Sequence, residues 1–327
     1  MSATATADRL PASRATTLVR KGIQRGYAAW IVVAAIVVGL TMNDASVFWS
    51  SANLASVLMT TVVLGLVALG QHVVVLAGGI DLSVGSMATL AALLTAVLID
   101  GFPIRTMPVI VFVLVLGAAI GVAHGLLVGW AGLAPFIVTL ATFYVIQGAA
   151  LEVSSTPDGQ VTSQLSDFAL GTIGPVPYPF VVLALATLVV AFLLNRTSFG
   201  RHVFAIGGDA DAARAIGIPV TRVIAGTYVI SGVLAALAGV MLAARATLGS
   251  PTAGEGLELS AIAVVVIGGA SLLGGRGTVV GTLGGVSLLA LVTSSVTLLQ
   301  LPSTITDLVR GLVIVAAAAV FVTKERR

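Results

Sequence analysis

Few residues of this chain could do chemistry, and the clearest candidate is an acid in apolar surroundings. The stretch "VVVLAGGIDLSVGS" sets Asp81 two residues after the pair Gly78-Gly79, where a helix would have to stop and restart. A carboxylate at membrane depth is costly and marks a specific role. One role is structural: the acid caps free amides and meets the positive end of a new helix dipole. The other is a polar path through the membrane, with Gln71, Ser83 and Ser86 as hydrogen-bonding companions to Asp81. A proton relay is disfavoured, because no second membrane acid accompanies Asp81 in the first half of the chain. Other chemistries find no foothold. There is no cysteine, and His72, His124 and His202 are scattered without metal-ligand spacing. No glycine-rich phosphate loop and no nucleophile–base pair is present, so the sequence reads as a non-enzyme without a cofactor of its own.

The elements that position these residues follow from composition. Of 327 residues, 58% are hydrophobic and 9% charged, against about 25% charged in soluble domains. The fold class is all-α and polytopic. Because a crossing takes about 20 apolar residues, the chain divides into about ten transmembrane helices. We place them near 28–42, 54–76, 86–99, 107–130, 134–151, 178–194, 221–244, 257–270, 278–300 and 305–322. The third and eighth are short and read as broken helices. The first is a retained span rather than a cleaved leader, since Asn43-Asp44 follows it where a small-residue cleavage site would lie. Residues 1–26 form a basic tail, 27–323 the membrane domain and 324–327 a second basic tail. With both tails in the cytoplasm, 13 of the 16 basic residues lie on that side, as the positive-inside rule requires. The basic residues are topology signals and do not indicate a nucleic-acid partner.

A parallel internal repeat is visible. Shifting by 190 residues lays "VVLAGGIDLSVG" (Val74 to Gly85) over "VVVIGGASLLGG" (Val264 to Gly275), so that Gly78-Gly79 meets Gly268-Gly269. Interrupted segments at matching places in two halves point to a transport pathway. The cytoplasmic interval 195–220 carries a second signal. Gly207-Gly208 ends one segment, Asp209 is a ready N-cap for a short helix over 210–216, and Gly217 with Pro219 closes it. Its alanines, Ala212 and Ala213 among them, suit close docking against another protein. On the outer side Arg245, Glu255 and Glu258 read as a docking rim, and Asp307 with Arg310 as a structural pair.

These residues give the chain a family resemblance. "GGIDLSVGS", "SFGRHVFAIGGDADAARAIGI" and "PTAGEGLELSAIAVVVIGGASLLGGRGTVVGT" make it similar to permease subunits of bacterial ABC sugar importers, of the ribose/xylose/arabinose/galactoside type, from about residue 50 to 322. The resemblance implies a homodimer in the inner membrane that moves a monosaccharide by alternating access. It also implies an ABC ATP-binding subunit that binds the ATP and contacts Asp209 to Ile216, and an extracytoplasmic sugar-binding protein facing 246–258. The chain departs from the family where Ser260 follows Glu258-Leu259 in place of an acid. Related ABC permeases for branched-chain amino acids or nucleosides are the nearest alternative. An ion-coupled carrier and a membrane-embedded lipid-sugar transferase are more distant ones.

Overall fold

The computed structural model describes residues 28–299, together with Leu308 and Gly311. The expected tails, the tenth span and the Asp307–Arg310 pair lie outside the described residues. In chain order the helices are α1 (Ala28–Phe48), α2 (Ser51–Leu76), α3 (Val84–Ile99), α4 (Pro103–Gly129), α5 (Pro135–Val153) and α6 (Ser163–Leu170). After a two-residue hairpin, β1 (Thr172–Ile173) with β2 (Val176–Pro177), come α7 (Tyr178–Arg196), α8 (Ser198–Gly208) and α9 (Ala210–Ala215). The series ends with α10 (Val220–Ala246), α11 (Leu257–Ile267) and α12 (Val279–Leu298). Seven helices among the described residues are long and apolar enough to cross a membrane. The two expected to be short are so: α3 has 16 residues and α11 has 11. At 1.5 Å per residue they reach about 24 Å and about 16 Å, less than the ~30 Å hydrocarbon core.

Two intervals read from sequence as polar loops hold further structure. The 152–177 interval contains α6 and the hairpin, and 195–220 contains α8 before the expected short helix. Amphipathic α8 buries Gly200, Val203 and Ile206 and exposes Arg201. The first span also runs beyond 42. Asp44 leaves helical torsions (φ −156°, ψ 92°), and its Oδ1 accepts from Ser46 N–H and Val47 N–H, capping a final short turn.

The packing centre is α10, which lies against α4, α3 and α2. Gly117, Gly121, Gly125 and Gly129, four apart on α4, allow this approach. A Cβ on Gly117 would strike the carbonyl of Gly232, and one on Gly121 the carbonyl of Tyr228. Small residues drive helix association in lipid because backbone contact replaces the absent hydrophobic force. Helix α12 packs on α2, α11 and α1, with Ala29, Ile267, Leu288 and Val292 forming a separate apolar cluster.

Candidate substrate pathway and coupling site

Helix α2 ends because Gly78 takes φ +83°, in the left-handed region that glycine tolerates. The N–H of Gly79 bonds back to Val74 O at 3.0 Å and that of Gly78 to Val75 O at 2.9 Å. Helix α11 ends the same way. Gly269 has φ +87°, and Ala270 N–H reaches Val265 O at 3.2 Å. The matching bonds fix the structural offset at 191 residues (Leu76 to Ile267), one more than the sequence register. The left-handed glycines are therefore Gly78 and Gly269, with Gly268 standing where Ala77 does. Beyond the breaks the copies diverge. Helix α3 resumes at Val84, eight positions after Leu76, whereas α12 resumes at Val279, twelve after Ile267.

Asp81 lies in the first break and is 1% exposed. Its Oδ1 accepts from Ser83 N–H at 3.0 Å and Ser83 Oγ–H at 2.7 Å, and its Oδ2 from Ser231 Oγ–H at 2.8 Å. In the amide orientation that pairs both atoms, Gln71 donates to Asp81 O at 2.9 Å and accepts from Asp81 N–H at 3.3 Å. The neighbouring Ile80 carbonyl receives Thr139 Oγ1–H at 3.3 Å and Tyr228 Oη–H at 3.4 Å. His124 packs edge-on against Tyr228, with centroids 5.5 Å apart. The unwound turn is thus held from α2, α5 and α10 at once. Gln71, Asp81 and Ser83 are closed off inside this chain rather than lining an open path. Gly78, by contrast, is exposed. Sequence reasoning did not single out Ser231, Tyr228 or Thr139. Each lies far along the chain from Asp81 and carries no local signature.

The two breaks and the 195–220 loop meet at one point. Leu76 O accepts from Gly275 N–H at 2.9 Å. A Cβ on Gly207 would collide with both of those atoms, and one on Gly274 would sit 2.8 Å from Gly207 Cα and 2.9 Å from Gly78 N. The end of α8 is therefore in backbone contact with the last residue of α2 and with the segment that follows α11. Gly208 faces open space.

Asp209 caps α9 as its type suggested, with Oδ1 accepting from Asp211 N–H (3.0 Å) and Ala212 N–H (2.9 Å). Arg214 and Asp211 form an ion pair at 3.0 Å, and Gly217 turns the chain at φ +84°. One expectation is corrected. Ala213 is 3% exposed and packs into the core, because a helix this short turns one side to the bundle. The outward residues are Asp211, Ala212, Arg214, Ala215 and Ile216.

At the other end of the bundle the 247–257 segment is tied down by Asp158–Gly249 pairing and by Gly254 N–H to Thr89 Oγ1 at 2.9 Å. Arg245 and Glu255 are exposed. Glu258 departs from the expected rim: its carboxyl turns inward against Gly85, and its Oε2 has no hydrogen-bond partner among the described residues.

Broken helices joined by backbone contact to a peripheral helical loop, within a bundle of apolar spans, define a multi-pass membrane permease. The family described as "Branched-chain amino acid transport system / permease component" matches residues 53–318, and the chain belongs to it. It is a transport family rather than an enzyme family. The ribose import permease protein RbsC of Escherichia coli (strain K12) is 35% identical over 302 residues, covering 91% of this chain and 92% of that protein. RbsC of Bacillus subtilis (strain 168) is 39% identical over 279 residues, covering 83% and 84%. The L-arabinose ABC transporter permease protein AraH of Azospirillum brasilense is 33% identical over 294 residues, covering 89% and 85%. No solved structure matches the chain.

Proposed function

We propose that the chain is the membrane subunit of an ATP-driven importer that carries a monosaccharide or related polyol into the cell. Two copies enclose the pathway in the inner membrane, with both termini cytoplasmic. ATP is bound and hydrolysed by a partner subunit docked on the outward face of α9, and a binding protein delivers sugar to the opposite face at Arg245 and Glu255. The observation that carries this reading is the contact of Gly207 with Leu76 and Gly275. A push on α9 passes through the end of α8 to both broken elements, which is the connection an ATP-coupled gate needs. Asp81, with three donors on its carboxylate, fixes the first break as a rigid unit rather than binding sugar.

Relatives named for ribose, D-allose, L-arabinose and fructose support a sugar as the solute. The family description favours a second reading, branched-chain amino acids. The test is uptake in vesicles holding the permease, its ATPase and its binding protein. ATP-dependent accumulation of a pentose or hexose, undiminished by excess leucine or valine, supports the sugar reading. Leucine accumulation with no sugar uptake refutes it, and uptake without the ATPase refutes the coupling.

A further inference from the structure

A cleft of about 430 Å³ opens between α7, α8 and α12, over the last turns of α2. That volume lies within the ~300–1,000 Å³ of ordinary ligand sites. Its walls are mainly apolar, from Ala191, Leu194, Phe204, Val279 and Leu283, with Thr187, Asn195 and Thr278 also on them. One of its polar groups is buried with a nitrogen left unpaired. His72 is 0% exposed, with Nδ1 2.9 Å from Thr282 Oγ1, and its Nε2 has no partner among the described residues. Its Cε1 is 3.0 Å from where a Cβ on Gly277 would stand, and both residues line the cleft. A buried polar nitrogen in low dielectric is costly unless something pairs with it.

The surroundings identify the occupant. Ala191 lies on the same helix as exposed Leu185, Leu188 and Phe192, and Val280 at the cleft is 51% exposed. In a spanning helix these residues meet lipid. Beside the cleft, Arg196 follows Asn195 and Arg201 precedes Phe204 by one turn, and both cations are exposed. A mainly apolar slot, one buried polar nitrogen and two exposed cations match the acyl chain, the glycerol ester and the phosphate of one molecule.

We propose that the cleft binds a glycerophospholipid from the leaflet that carries Arg196 and Arg201. Thr282 Oγ–H donates to His72 Nδ1, and His72 Nε2–H donates to the lipid's ester carbonyl. The lipid splints α7 to α12, and the site stands apart from whichever solute the permease carries.

The test uses the full chain in vesicles of phosphatidylethanolamine and phosphatidylglycerol with a trace of phosphatidylglycerol bearing an acyl-chain diazirine. After irradiation, the label should concentrate on α7 and α12 peptides. It should fall several-fold in Ala191→Phe, which fills the slot, and persist in Leu188→Phe, which adds similar bulk outside it. For the wild type, ester-linked phosphatidylglycerol should compete with the label several-fold better than its ether-linked analogue, which lacks the carbonyl. Label spread evenly over α4, α5 and α7, or unchanged in Ala191→Phe, would reduce the cleft to ordinary boundary lipid and overturn the proposal. Equal competition by ester and ether lipids would remove His72 from it. The wild-type comparison requires no variant to fold.

Discussion

Gly207→Ala tests the mechanical link directly. A methyl at this position cannot fit: it would occupy the space of the Leu76 carbonyl and the Gly275 amide, which are hydrogen-bonded to each other at 2.9 Å. All three partners are backbone, so no side chain can swing aside. Losing the hydrogen bond costs ~0.5–1.5 kcal/mol, and forcing a methyl into a packed site ~1–3 kcal/mol. A shift of ~2 kcal/mol between the conformations of the transport cycle changes their ratio roughly 30-fold. Gly208→Ala is the matched control, because a Cβ there meets nothing within 4 Å. Both variants should reach the membrane and co-purify with the ATPase subunit. In reconstituted vesicles, uptake per inserted molecule should fall by more than tenfold (~1.4 kcal/mol) for Gly207→Ala and stay near wild type for Gly208→Ala. Equal uptake by the two variants, or equal loss, would refute the argument that this contact carries the signal.

Asp81→Asn preserves an acceptor for Ser83 and should keep most uptake, whereas Asp81→Leu strands three buried donors at ~1–3 kcal/mol each and should lower membrane abundance; abundance-normalised uptake separates the two, and severe transport loss from Asp81→Asn at normal abundance would assign the charge to the pathway. Ala212→Trp, on the exposed side of α9, should fold and lose ATP-driven uptake, while Ala213→Trp, pointing into the core, should lower the melting temperature; co-purification with the ATPase and thermal unfolding in detergent distinguish them. Gly121→Leu would drive a side chain into the Tyr228 backbone and should destabilise the bundle by more than the ~1–3 kcal/mol of ordinary overpacking, measured as lost folded yield, whereas Gly148→Ala meets open space and should be neutral.

Much of the architecture is carried by local sequence. Apolar length marked the seven long spans among the described residues, and short apolar length marked α3 and α11. The capping type of Asp209 and the glycine at Gly217 bounded α9 to within a residue. These features depend on neighbours within a turn or two, where propensity and capping chemistry act. Tertiary structure decided what depends on distant partners. The enclosure of Asp81 rests on Ser231, 150 residues away, and the repeat's true register on hydrogen bonds at the two helix ends. The inward face of Ala213 follows from how α9 seats on the bundle, because a run of alanines has no polar side to orient it. The meeting of Gly207 with Leu76 and Gly275 follows from packing alone: a glycine's spacing says that something comes close, and only the folded chain says what.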